Sequence, residues 1–207
     1  MRTYAALLSL LLLGAAMLAI RTLTAGQESP APADRLTPAE RELAARLAWQ
    51  AVEERGLRVG DRIYVVAAEP LRSKAAELAG ETAREALVTH YRYAGDLAVL
   101  TRVDLLRAEV LGVEMVPHPA VPLAPEEFQE ARRLALADAR VTGALKGSEE
   151  VRVEALVLRA AEPGDPLFSH RVVRLLFRTE RGYVRDPVVM VDLTDRVLLL
   201  EAAAPAP

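Results

Sequence analysis

The sequence feature that most limits the fold is a series of one helix start and four strand patterns, and this series occurs twice. Residues 36–40 (LTPAE) form a helix start, with Thr37 as N-cap, Pro38 at the first helical position and Glu40 closing a capping box. Four strand patterns follow, at residues 63–68, 85–93, 97–105 and 109–116. A second helix start, at residues 123–127 (LAPEE), precedes four more, at residues 151–157, 168–178, 187–193 and 196–200.

The two series also end alike, which indicates a duplication. Residues 102–105 (RVDL) close one strand before a short turn, and residues 191–193 (VDL) do the same in the second series. A helix lying across a four-stranded antiparallel sheet buries one face of each. The predicted fold class is therefore α+β, with two tandem cystatin-like units, each one helix packed on a four-stranded antiparallel sheet.

A membrane signal precedes these units. The 17 residues from Tyr4 to Ile20 carry no charge, and Arg2 supplies a weak positive flank. Such a segment is either an uncleaved single-pass anchor or a cleaved signal peptide, and both place the body outside the cytoplasm. The predicted divisions are 1–25 (signal or anchor), 26–35 (linker), 36–117 (first unit), 118–201 (second unit) and 202–207 (disordered tail).

Composition excludes several kinds of chemistry. The chain has no cysteine, so disulfides and thiolate sites are excluded, and it has no asparagine. The net charge is −3, which gives no electrostatic footprint for nucleic acid. The three histidines, His90, His118 and His170, have no metal-ligand spacing, so we expect no metal site and no other cofactor. Ser169 and His170 are adjacent, which puts their side chains on opposite faces of a strand and excludes a direct nucleophile–base pair.

Specific motifs resemble the two small accessory domains that precede the catalytic domain in copper amine oxidases. They cover about half of the chain, in the order that this family shows. The matching segments are residues 36–40 (LTPAE), 84–87 (REAL), 98–110 (AVLTRVDLLRAEV), 113–117 (VEMVP), 126–134 (EEFQEARRL), 137–141 (ADARV) and 144–145 (AL).

The resemblance implies a fold but argues against amine oxidase activity in this chain. The family's chemistry uses an Asn-Tyr-Asp/Glu tripeptide, whose tyrosine becomes topaquinone, and a His-x-His pair with a third histidine for copper. This sequence contains no asparagine and no His-x-His, and its 207 residues do not accommodate the large catalytic domain. We therefore expect a protein that is not an enzyme.

One charged cluster is a candidate partner-binding surface around the predicted hairpin of the second unit. It consists of Arg171, Arg174, Arg178, Arg181 and Arg185. These arginines either protect a sheet face or edge from aggregation or bind an anionic partner, such as lipid headgroups or an acidic protein.

The sequence thus favours a non-catalytic, extracytoplasmic, membrane-tethered interaction module that binds a protein partner. One alternative is an accessory subunit of a separate catalytic oxidase. Another is a cystatin-like inhibitor, which rests on fold analogy alone.

Overall fold

The computed structural model describes residues 35–58, 61–72 and 83–201. The predicted N-terminal anchor or signal and the C-terminal tail lie outside these residues. No helix among the described residues is long and apolar enough to cross a membrane.

The first helix, α1 (Pro38–Glu54), begins at the predicted residue. The Glu40 backbone N–H donates to Thr37 Oγ1 over 3.2 Å, and the Thr37 N–H donates to Glu40 Oε2 over 2.7 Å, so the capping box is confirmed. The helix buries a stripe of small side chains at the helical spacing expected for one face. These are Ala44, Ala48, Ala51 and Val52.

Sheet 1 is an antiparallel meander of four strands in chain order. They are β1 (Ile63–Leu71), β2 (Glu85–Arg92), β3 (Leu97–Asp104) and β4 (Glu109–Pro117). β1 runs past the predicted end at residue 68 and includes Pro70, which an edge strand tolerates because one side of it carries no ladder hydrogen bonds. One face of the sheet packs on α1 through Ala86, Val88 and Val103.

The second half begins with two helices, α2 (Pro125–Leu136) and α3 (Ala139–Ala144). α2 has Ala124 at its N-cap, which offers no side-chain acceptor, but Glu127 still accepts the Ala124 backbone N–H over 2.8 Å. α3 is capped by Asp138, whose Oδ1 accepts the Arg140 N–H over 2.8 Å.

Sheet 2 has the strand order β5-β6-β8-β9, with β7 paired to β6. The strands are β5 (Arg152–Leu158), β6 (Val172–Thr179), β7 (Gly182–Tyr183), β8 (Val188–Asp192) and β9 (Val197–Glu201). The four predicted strands are present, and the two-residue β7 is an addition. The strand expected from residue 168 begins at Val172, because residues 165–170 form consecutive turns that end at Ser169, with φ 64°.

An ion pair of the same geometry occurs in both halves. Glu40 and Glu127 each occupy the third position of a helix, and Arg84 and Arg171 each precede the second strand of a sheet. The Nε and Nη2 atoms of each arginine donate to the two carboxylate oxygens, over 2.7 and 2.9 Å in the first half and 3.0 and 3.0 Å in the second. These two Glu–Arg pairs support the duplication read from the sequence.

The two halves share one core. Tyr64, Tyr91 and Tyr93 lie on the face of sheet 1 opposite α1, and they pack with α2 and the inner face of sheet 2. The contributions of the second half include Ala131, Ala135, Val173, Leu175, Phe177, Val189 and Val191. Both faces of sheet 1 therefore bury apolar side chains.

Candidate interaction surface

The second face of sheet 2 faces away from α2 and is partly open to solvent. Alternation along the strands places Leu156, Arg174, Met190 and Leu199 in one cross-strand row of this outer face. Leu156 is 50% exposed, Arg174 is exposed, and Met190 and Leu199 are half-buried. Apolar side chains in solvent beside an arginine are typical of a binding surface.

The next rows of the outer face are also mixed. Glu154 and Leu176 pair across β5 and β6, and Arg152 pairs with Arg178 in the row beyond. The Arg178 guanidinium lies 5.8 Å from the centroid of the Tyr183 ring, and the Tyr183 hydroxyl donates to the Glu154 carboxylate over 3.2 Å. The outer face thus combines apolar side chains with Arg174 among them and with Arg152 and Arg178 further along the strands.

Four of the five arginines proposed as a surface are exposed, and the fifth is not. Arg174, Arg178, Arg181 and Arg185 are exposed to solvent. Arg171 is fully buried, so it does not belong to this surface, contrary to the sequence interpretation. The reason is that β6 begins one residue after Arg171, whose side chain turns inward to Glu127.

Arg171 is the centre of a buried polar network. Its guanidinium contacts Glu127, donates to the carbonyl oxygens of Val121 and Pro122, and lies 4.2 Å from the centroid of the Tyr91 ring. The Tyr93 hydroxyl donates to Glu127 Oε1 over 2.7 Å. Because the charges of Arg171 and Glu127 are matched and both groups are hydrogen-bonded, burial is tolerated. The network connects the two halves.

A second network surrounds Asp96, which is also buried. Its carboxylate accepts hydrogen bonds from the Tyr91 hydroxyl over 2.8 Å and from both terminal nitrogens of Arg159. His118 Nδ1 lies 2.9 Å from Asp96 Oδ2. These hydrogen bonds hold the pKa of Asp96 below its ordinary value although burial opposes them.

Ser169 lies beside this network, but it does not form a catalytic triad with it. Ser169 Oγ is 3.4 Å from His118 Nδ1, the same ring nitrogen that contacts Asp96. A serine nucleophile and an orienting carboxylate need opposite nitrogens of the imidazole. The arrangement therefore gives no route from the serine hydroxyl through the ring to the carboxylate.

The three histidines lie in different environments. His90 is fully buried beneath α1, with its ring centroid 5.3 Å from that of Trp49, and neither ring nitrogen has a hydrogen-bond partner among the described residues. His170 Nδ1 lies 2.5 Å from Asp192 Oδ2, and this contact raises the pKa of His170 above its ordinary value. The described residues do not bring the three histidines to one site.

An open groove of about 650 Å³ lies between the segment that leads into α2 and strand β5. It is lined by residues 120–125 and 155–157, Phe128 and Arg159. Of the described lining residues, only Arg159 is charged, and its guanidinium is bonded to Asp96. The groove therefore supplies no acid–base pair.

Comparisons with known proteins agree with the fold. No family model and no curated protein matches the chain. A solved structure of a copper-containing benzylamine oxidase from Hansenula polymorpha is similar, with a TM-score of 0.55 and 17% sequence identity over 84% of this chain. The match covers 30% of the oxidase chain. The resemblance to copper amine oxidases expected from the sequence is thus supported at the level of the fold.

Proposed function

We propose that this protein is a non-catalytic interaction module and that the outer face of sheet 2 binds its protein partner. The observation that carries the proposal is the row of Leu156, Arg174, Met190 and Leu199, which presents apolar side chains and a positive charge to solvent. The partner surface that suits this face is apolar with acidic groups opposite Arg174 and Arg178, because such groups would pair with these arginines.

The location and fold type belong to the same proposal. The uncharged segment from Tyr4 to Ile20 would tether the body outside the cytoplasm. Each sheet with its helix would correspond to one cystatin-like accessory unit of the copper amine oxidase type. A second candidate, an accessory subunit of a separate catalytic oxidase, is favoured by the fold match to part of an oxidase.

The test is affinity purification of the full chain from native membranes after mild crosslinking, followed by mass spectrometry. Three variants are purified in parallel: Arg174→Glu and Leu156→Asp on the outer face, and Arg132→Glu on the exposed side of α2 as the matched control. We expect one stoichiometric partner with the wild type and the Arg132→Glu variant, and its loss with both outer-face variants.

Two results would count against the proposal. Recovery of the wild-type protein alone would contradict the interaction function. Equal recovery of a partner with all variants would support an interaction but move it away from sheet 2. A copper- or quinone-containing partner would assign the chain as an accessory subunit of an oxidase.

A further inference from the structure

A second feature of sheet 2 lies at the end of its outer face, where the loop before β6 meets the turn between β8 and β9. His170, Asp192 and Asp195 each offer one ligand atom there, and these three atoms lie within 4.8 Å of one another. We propose that these residues bind a divalent transition-metal ion of the Zn²⁺ type. This inference goes beyond the interaction function, and it departs from the sequence analysis, in which His170 had no ligand spacing.

The distances suit a small tetrahedral ion after a modest adjustment. Zn²⁺ lies about 2.0–2.2 Å from imidazole nitrogen and carboxylate oxygen, which puts two ligand atoms about 3.4 Å apart in a tetrahedral site. His170 Nδ1 lies 2.5 Å from Asp192 Oδ2 and 3.9 Å from Asp195 Oδ2, on either side of that value. The Asp195 side chain is 62% exposed, so its carboxylate is free to rotate towards the ion.

Asp192 is held in place for this role. Its Oδ1 accepts the backbone N–H groups of Thr194 over 2.8 Å and Asp195 over 3.3 Å, while Oδ2 faces His170. Hydrogen bonds to one oxygen of a carboxylate fix the direction of the other, which is the support that metal ligands commonly receive.

The ion pairs around the turn leave the two carboxylates available to a cation. Among the described residues, Asp192 and Asp195 form ion pairs with His170. Arg62 donates to the carbonyl oxygens of Leu193 and Thr194 in the same turn, and Arg196 pairs with Glu130 at 2.8 Å. Neither of these arginines forms an ion pair with Asp192 or Asp195, so the two carboxylates share the imidazole of His170.

Metal binding at this place replaces a proton. Zn²⁺ binds the Nδ1 lone pair of a neutral imidazole and competes with a proton for it, so its affinity falls as the pH falls. The bound ion would join the loop before β6 to the turn after β8, with its fourth coordination position open to water.

The experiment is calorimetric titration of the chelator-treated full chain with Zn²⁺, repeated with Mg²⁺. The variants are His170→Gln and Asp195→Asn, with His118→Gln as the control, since His118 also contacts a buried aspartate. Asp195→Asn is preferred to a change at Asp192, because Asp195 is exposed whereas Asp192 fixes the turn.

We expect one Zn²⁺ per chain, weaker binding at pH 5.5 than at pH 7.5, and no comparable binding of Mg²⁺, which disfavours imidazole. His170→Gln and Asp195→Asn should each weaken Zn²⁺ binding by at least about tenfold, the loss known for removal of even an outer-shell partner. His118→Gln should bind as the wild type does. Absence of Zn²⁺ binding, or equal binding by all variants, would overturn the inference.

Discussion

His90 is buried, and no residue in the described part of the chain forms a hydrogen bond with its ring. This burial predicts that acid destabilises the protein through this one side chain. Desolvation lowers the pKa of His90 from 6.5 to about 4. The neutral ring is therefore the form that the folded state keeps, whereas the unfolded chain takes up a proton near pH 6.5. The free energy of unfolding that depends on this group is present above pH 6.5 and is lost as the pH falls to about 4.

The magnitude follows from the two pKa values. Each tenfold difference in proton affinity corresponds to about 1.4 kcal/mol, so the interval between 6.5 and about 4 corresponds to a loss of about 3 kcal/mol. This loss is a large share of the free energy of unfolding of an ordinary domain, which is about 5–15 kcal/mol. His90→Leu, which replaces the ring with an apolar side chain of comparable bulk beside Trp49, removes the titration.

The assay is urea unfolding of the full chain and of His90→Leu in the same buffers between pH 7.5 and pH 4. At pH 7.5 the variant should be equal to or more stable than the wild type, because no hydrogen bond is lost with the ring. The difference in free energy of unfolding between His90→Leu and the wild type should then grow by about 3 kcal/mol towards pH 4, in favour of the variant. Groups common to both proteins cancel in the difference. A difference that stays constant within about 0.5 kcal/mol over this range would refute the reasoning.

Three further predictions concern the ion pairs and the helix cap. In urea unfolding at pH 7, Glu127→Gln should lower the free energy of unfolding by about 3–5 kcal/mol, because it leaves Arg171 buried without its counter-charge. The equivalent Glu40→Gln should lower it by about 1 kcal/mol or less, because the Arg84–Glu40 pair is partly solvated. The contact with Asp192 raises the pKa of His170. The stabilisation that this contact gives the folded state is therefore present below pH 6.5 and is lost as the pH rises through the raised pKa. With a chelator present, His170→Gln should destabilise the chain more at pH 5.5 than at pH 8.5. Thr37→Ala should lower the melting temperature by the loss of about 1 kcal/mol, since the Glu40 N–H then has no side-chain acceptor, and an unchanged melting temperature would show that the cap contributes nothing.

Apart from the short helix α3 and the two-residue strand β7, which the predicted unit of one helix and four strands lacks, the order and type of the described elements follow from sequence patterns. The capping box at Thr37 and Glu40 is a local signal, and it is present as expected. The alternation in β2 and β3 is also local, and it places these strands correctly. The same alternation assigned residues 168–171 to a strand, but turns within that segment satisfy their backbone groups instead.

The burial of Arg171 illustrates what local patterns cannot provide. Its partner Glu127 lies 44 residues earlier in the chain, and the aromatic ring over its guanidinium belongs to the other sheet. Only the folded arrangement brings these groups together. A signal was nevertheless present, because a glutamate at the third helical position and an arginine before the second strand occur in both halves.

The environment of Tyr91 and Tyr93 shows that local sequence patterns also do not predict how the core is assembled. The sequence pattern predicts that each sheet buries one face under its own helix. Both tyrosines lie on the opposite face of sheet 1, and they are buried because the second half of the chain covers them. Alternation shows which residues share a face but not what lies against that face.

The two Glu–Arg pairs have a consequence for how the protein unfolds. In the first half the pair is partly solvated, with Arg84 and Glu40 exposed by 22% and 25%, so that half would lose little if its surroundings opened. In the second half the pair is sealed by Tyr91 and Tyr93, which belong to the first half. Opening the first half would strip these aromatic groups from a buried charge pair. We therefore expect the two halves to unfold in one cooperative transition with a single melting event.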